Sequence, residues 1–328
     1  AKRNSDFKIF LPYFEELIIL RREEANQLSD KLSPWETLAQ PYEPDINKDW
    51  LFNIFNPLRE SIPSMLENIK EVDKKKWDID SSAQQVLCDK LLDNFGRNED
   101  LVAIAESPHP FSITLGPKDY RITTRVVKGE PFSSFLATAH EWGHSIYEQG
   151  LPNETHQWFA WPLGQATSMA VHESQSLFWE NRIVKSKAFS RSFFQYFLKS
   201  GCPLENYEDL WKSMNIIKPG LNRVEADELS YGMHILIRTE LEIELIEGNL
   251  NAKDLPFEWN KKYKRLLGIE PCNDAEGCLQ DVHWSEGAFG YFPSYLIGHL
   301  ISAQLTNQLE KDIGLIDQLI ESNDYQSI

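Results

Sequence analysis

The sequence predicts a mainly α-helical chain with one small antiparallel β element at about residues 111–127. Apolar residues recur at helical spacing through most of the 328 positions. One stretch, FSITLGPKDYRITTRVV, is β-branched around a Gly-Pro-Lys-Asp turn, the signal of a hairpin. No repeat, low-complexity linker or Pro/Gly-rich boundary divides the chain, so a single domain over residues 1–328 is the simplest organisation.

Taken in order, residues 7–31 place Phe7, Ile9, Phe10, Tyr13, Phe14, Leu17 and Ile18 at helical spacing. They predict a long amphipathic helix that ends before Pro34. PYEPD at 41–45 is a turn or loop, and 50–70 and 82–94 are helical again. Lys74–Lys76 is a short basic run, expected at a solvated corner. In the hairpin, Tyr120, Ile122, Thr124 and Val126 share one face and Arg121, Thr123 and Arg125 the other. Helices return over 133–148 and 163–185, then over 190–200, 226–247, 253–267 and 291–311.

Ten Trp, 11 Tyr and 18 Phe within a 41% hydrophobic composition supply a large core, as in a folded globular protein. Thirty-three basic residues against 50 acidic ones leave a formal charge of -17. Such a surface repels nucleic-acid phosphates and anionic membranes, but not a metal cation. Cys88, Cys202, Cys272 and Cys278 form no CxxC pair and read as thiols in a reducing compartment. AKRNSDFKIF lacks the apolar core of a signal peptide, and no apolar run reaches the roughly 18 residues that span a bilayer. The expectation is a soluble, cytoplasmic protein without a nucleic-acid or membrane partner.

Within SSFLATAHEWGHSIYEQG, His140 and His144 are the only two of the eight histidines that stand four apart. Positions i and i+4 stack on one helix face, so both imidazoles can converge on one ion. Glu141 points beside that ion, positioned to take a proton from a water it acidifies. The bland alternative is a helix with a partly buried, hydrogen-bonded histidine pair. An extended metzincin motif is excluded, because Tyr147 and Gly150 stand where it needs glycine and histidine. QATSMAVHESQSLFWEN is the next strong helix, reached by a loop rich in Trp and Pro that lets it fold back. Glu173 on that helix is favoured as third ligand, since two histidines and a carboxylate leave one position open for water; His156 and His172 compete with it.

Further motifs stand in order along the chain: HPF at 109–111, DYRIT at 119–123, HEWGH at 140–144 and HESQ at 172–175. NRVEAD follows at 222–227, with Asn222 where the pattern I(R/A)xxAD has isoleucine, then GCLQDVHW at 277–284 and GYFPSYLIG at 290–298. This series resembles the M32 metallocarboxypeptidases, typified by thermostable bacterial and archaeal carboxypeptidases. The resemblance covers nearly the whole chain. It implies an HExxH zinc-peptidase helical fold with a deep cleft, a zinc or cobalt ion (Zn2+ or Co2+), and a homodimer. It also implies removal of single residues from peptides with a free C-terminus. By position, His140, His144 and Glu173 bind the metal and Glu141 is the base. Family chains are longer at both ends, so a truncated form is expected. The alternative function is a metal-binding or peptide-binding homologue or fragment with impaired catalysis.

An exopeptidase acting at a C-terminus must hold a free carboxylate, which suits the planar fork of arginine. Arg223 is the first choice and Arg238 the second, with an ion pair to Glu242 as the structural reading of Arg238. Arg121 and Arg125 on the polar face of the hairpin contact substrate or pair with nearby carboxylates. An oxyanion needs a donor besides the metal, and His283, His234, Tyr291 and Tyr295 are candidates, His283 first. Gln280 and Asp281 are expected to orient metal ligands. The expected enzyme is a zinc metallocarboxypeptidase that uses a metal-activated water.

Overall fold

The helical periodicity is realised over most of the chain in the computed structural model, which describes residues 1–69, 72, 77, 79–152, 158, 159 and 161–328. His156 and the Lys74–Lys76 run lie outside the described residues. The first predicted helix opens with a 3-10 turn, Phe7–Ile9, capped by Asp6, and continues as α1, Leu11–Leu28. α2, Pro34–Ala39, was not expected; Ser33 and Glu36 form a capping box and Pro34 sits in its first turn. α3, Lys48–Glu67, and α4, Ser81–Asn94, follow the predicted pair closely.

The β element differs from a lone hairpin. β1, Val102–Glu106, β2, Ser112–Gly116, and β3, Asp119–Thr124, form one sheet in the order β1-β3-β2. β2 and β3 are the expected antiparallel pair, whereas β1 runs parallel to β3. The sequence VAIAE hides β1, because only Val102 of its five residues is buried. On β3, Tyr120, Ile122 and Thr124 face inward as predicted and Arg121 outward. Thr123 is buried as well, its hydroxyl accepting from the Phe111 N–H.

After the sheet come α5, Pro131–Gly150, and α6, Met169–Leu177, the latter continuing into a π-helical segment, Phe178–Val184. α7, Lys187–Lys199, α9, Glu228–Glu247, α10, Leu255–Leu267, and α11, Phe292–Ile313, match predicted helices. α8, Tyr207–Met214, and α12, Ile316–Glu321, are short and were not expected. Among the described residues, no helix is long and apolar enough to cross a membrane.

The chain divides into two compact units, Ala1–Val72 with Ile217–Leu296, and Asp73–Ile216 with Ile297–Ile328. In the first, α9 is the central helix, packed by α1, α2, α3 and α10 and buried on nearly every side from Gly232 to Ile243. A helix enclosed this way must satisfy its polar groups internally. Glu242 does so by accepting from the indole N–H of Trp35 at 3.2 Å, that of Trp284 at 3.1 Å and the Gly290 N–H at 3.1 Å. Gly290 has φ +91°, and a β-carbon there would lie 2.6 Å from the Ala39 Cα, so both backbone conformation and space require glycine.

In the second unit, α5 packs against α4, β2, β3, α6 and the π segment. Its Phe135, Ala139 and Trp142 enter a core shared with Leu91, Ile122, Phe189, Phe193 and Phe197. That apolar stripe fixes the roll of α5. His140, Glu141, His144 and Glu148 therefore project from the opposite side of the helix.

Burial pushes the Glu242 carboxyl from 4.5 up to about 8, against the three N–H donors that lower it. A group raised in the folded state contributes stability that is complete below its unfolded value and lost as pH climbs through its folded one. The stability of the protein relative to Glu242→Gln should therefore fall between about pH 5 and 8, read from urea midpoints. A difference that stays flat across that range would contradict this assignment.

Candidate metal centre

α5 carries His140 and His144 one turn apart, and α6 carries Glu173. Ser168 caps α6 by accepting from the Val171 N–H, which sets where the helix begins. The two helices meet at Gly143, where a β-carbon would stand 2.4 Å from the Ser176 Cα and 2.5 Å from the Gln175 carbonyl oxygen. Only a residue without a side chain permits that approach. Behind Glu173, Gly298 of α11 also packs tightly: a β-carbon there would lie 3.0 Å from the Glu173 Cγ and 3.1 Å from the Ala170 carbonyl oxygen.

The ligand atoms of His140, His144 and Glu173 all lie within 4.8 Å of one another. Glu173 Oε2 is 3.6 Å from His140 Nε2 and 3.3 Å from His144 Nε2. Donors about 2.0–2.1 Å from a tetrahedral ion stand about 3.3 Å apart, so this set fits a divalent cation. Glu141 is 6% exposed and Glu173 7% exposed, so two carboxylates are held out of water beside the histidines.

The charges respond accordingly. Burial disfavours the imidazolium of His140, yet Glu173, Glu180 and Glu141 together raise it to about 10. His144 is driven the other way, to about 4, by burial and by His140, despite Glu173. Burial would lift Glu173, but His140 and His144 bring it down to about 2. Glu180 also falls to about 2, as Lys185 and His140 overcome its burial. Glu141 rises to about 7 through burial, with Glu173 and Glu180 adding to the effect and His140 opposing it. One carboxylate of the cluster is thus ionised for ligation, while another titrates near neutrality.

His172, a rival ligand by sequence, is not in the cluster. Its Nδ1 lies 2.7 Å from His144 Nδ1, and its Nε2 lies 2.9 Å from Glu148 Oε1. Glu180 and Glu148 were missed. Glu180 Oε2 stands 3.0 Å from His140 Nδ1 and belongs to the π segment. Glu148 had a legible signal, since it follows His140 and His144 at the same four-residue step. His299, which had no assigned role, lies near enough to Glu173 to affect its charge.

The remaining candidates lie in the other compact unit. Arg238 is fully buried and pairs with Asp281 at 2.6 Å, correcting the expected partner Glu242. Its other donors go to Gln280 Oε1, the Tyr263 hydroxyl and the His234 carbonyl. Arg223 meets the same Asp281 at 2.9 Å and donates to the Tyr231 hydroxyl. Asp281 and Gln280 thus brace two arginines, where the orientation of metal ligands was expected; despite burial, the arginines hold the Asp281 carboxyl below its usual range. His234 has no exposed surface and is joined to the Tyr263 hydroxyl at 2.9 Å, a core position. His283 Nε2 lies 3.1 Å from the Tyr295 hydroxyl, and its ring is kept neutral, at about 4, by burial and by Arg223. Tyr291 packs edge-on against Tyr42 and beside His283. Arg121, back in the unit of the metal cluster, is exposed and chelated by Asp119 of its own strand.

A family model described as carboxypeptidase Taq (M32) metallopeptidase matches residues 1–328. Carboxypeptidase 1 of Bacillus subtilis (strain 168) is 35% identical over 341 residues, covering 100% of this chain and 67% of that protein. Thermostable carboxypeptidase 1 of Thermus thermophilus is 36% identical over 347 residues, covering 99% and 67%. The solved structure of Pyrococcus furiosus carboxypeptidase superposes with a TM-score of 0.92 at 33% identity, over 99% of this chain and 67% of that one. The M32 carboxypeptidase from Deinococcus radiodurans gives 0.93 at 29% identity, over 100% and 67%. The chain spans about two thirds of the length of each.

Because a β-carbon on Gly143 meets backbone and no yielding side chain, Gly143→Ala should force α5 and α6 apart. The expected cost is roughly 1–3 kcal/mol of stability, read by thermal unfolding, together with weaker zinc binding in competition with a chelating dye. Wild-type values in both would show that this approach does not set the cluster.

Proposed function

The chain belongs to the carboxypeptidase Taq (M32) metallopeptidase family, and from that membership we propose that it hydrolyses the C-terminal peptide bond of peptides at a divalent cation held by His140, His144 and Glu173. One observation carries the site assignment: the three ligand atoms converge within 4.8 Å beside a buried Glu141. A bound cation supplies Lewis acidity, acidifying water and polarising the scissile carbonyl. Glu141, buried beside the three ligand atoms, is placed to accept a proton from the attacking water and return it to the leaving amine. Glu180 accepts from His140 Nδ1–H and keeps the Nε2 lone pair turned toward the ligand position.

The metal we propose is zinc, with cobalt as the substitute, because two imidazoles and one carboxylate with an open position form a catalytic zinc set. Arg223 is proposed to hold the terminal carboxylate of the peptide, since all three guanidinium nitrogens of Arg238 are committed inside the core while Arg223 keeps one guanidinium nitrogen without a hydrogen-bond partner among the described residues. His283, neutral and hydrogen-bonded through Nε2, is the proposed oxyanion donor. A single catalytic domain is proposed because each compact unit draws on two separate stretches of chain. A cytoplasmic location is proposed from four free cysteines, and a homodimer from the family resemblance alone. The impaired-homologue alternative gains no support, as the ligand triad and Glu141 occur together.

Glu141→Gln should bind zinc with near wild-type affinity and lose at least about 100-fold in turnover of an N-blocked peptide. Retained turnover would refute the base. Amidating the C-terminus of that peptide should abolish cleavage by the wild type, and undiminished cleavage would refute the exopeptidase polarity.

A further inference from the structure

An imidazole that ligates through Nε2 carries its ring proton on Nδ1, and that proton needs an acceptor. For His140 the acceptor is a carboxylate, Glu180, at 3.0 Å, which has no proton of its own to give when ionised. His144 is held differently. Its Nδ1 faces the Nδ1 of another histidine, His172, at 2.7 Å. Two ring nitrogens that close share one proton, and its side decides whether His144 can bind a cation. With the proton on His144, Nε2 of that ring is bare and ligation is possible. With the proton on His172, a neutral His144 carries its own proton on Nε2, directed at the ligand position.

The far side of His172 breaks this symmetry. Its Nε2 lies 2.9 Å from Glu148 Oε1, and a carboxylate there demands a donor. Glu148 Oε2 already accepts from the Thr114 hydroxyl at 3.3 Å, which ties the carboxylate to β2. The edge of the Tyr147 ring against His172, with centroids 5.1 Å apart, limits rotation of the imidazole. One neutral arrangement satisfies all three groups: His144 Nδ1–H donates to His172 Nδ1, and His172 Nε2–H donates to Glu148.

We propose that His172 and Glu148 are positioning residues of the metal centre, a directional hydrogen-bond chain that fixes the tautomer of His144 and leaves its Nε2 bare toward the cation. The proposal rests on the reading that His140, His144 and Glu173 hold the metal. It gives the two histidine ligands unlike supports, a carboxylate behind one and a neutral imidazole behind the other.

The test is zinc affinity, measured by dye competition on the wild type, His172→Phe, His172→Asn and Glu148→Leu. His172→Phe and Glu148→Leu should bind zinc about 10–100-fold more weakly. His172→Asn, whose amide oxygen can accept where Nδ1 stood, should recover most of that loss, which a role in packing alone would not allow. Unchanged affinity in both His172→Phe and Glu148→Leu overturns the proposal. A wild type that binds no zinc instead overturns the metal assignment beneath it. If the variants do not fold, nitrogen NMR of histidine-labelled, zinc-loaded wild type decides. A proton on His172 Nε2 alone supports the chain, and one on its Nδ1, or on both nitrogens, overturns it.

Discussion

The backbones of α5 and α6 touch at Gly143, and the spacing of the metal cluster depends on that contact. Phe135, Ala139 and Trp142 fix the roll of α5 by entering the core, but roll alone does not bring a second helix within ligand distance. With a β-carbon at position 143 the Ser176 Cα would be 2.4 Å away, so the helices would have to separate by roughly an ångström to restore normal contact, enough to loosen the 3.3 Å spacing between His144 Nε2 and Glu173 Oε2. Gly298 closes the third side, behind Glu173. Two glycines thus convert an ordinary packing of helices into a site whose donors are held at ligand spacing.

That closeness has an electrostatic consequence. Glu141 and Glu173 are nearly buried and Glu180 is mostly so, a concentration of carboxylates that needs positive charge nearby. Protonated His140 and the Lys185 ammonium supply part of it and draw Glu173 and Glu180 down to about 2, whereas burial leaves Glu141 at about 7. A divalent cation answers the same need more completely. The acidic surface and the acidic cluster share a sign, and both favour cations over anionic polymers.

Much of this was legible before any fold was known. His140, Glu141, His144 and Glu173 announce themselves by residue type and helical step, and the long helices by periodicity. Short elements did not: α2, α8 and α12 hold eight residues or fewer, too few for a period to show. β1 was invisible because its partner is β3, beyond β2 in the chain, and its outward residues are small. His172 and Glu173 are adjacent, so both are plausible ligands by sequence; on a helix they point about 100° apart, and only the packing of α6 decides that Glu173 meets His144 at Nε2 and His172 meets it at Nδ1. Arg238 looked like a partner for Glu242 four residues on, whereas Asp281, 43 residues away in the chain, holds it with Arg223. Local spacing cannot rank a tertiary partner above a neighbouring one.

X-ray absorption at the zinc edge of the loaded protein tests the central assignment most directly. Two imidazole nitrogens with oxygen donors at about 2.0–2.1 Å, one ion per chain, is the result expected for His140, His144 and Glu173. A third imidazole or a sulfur in the coordination sphere would contradict it.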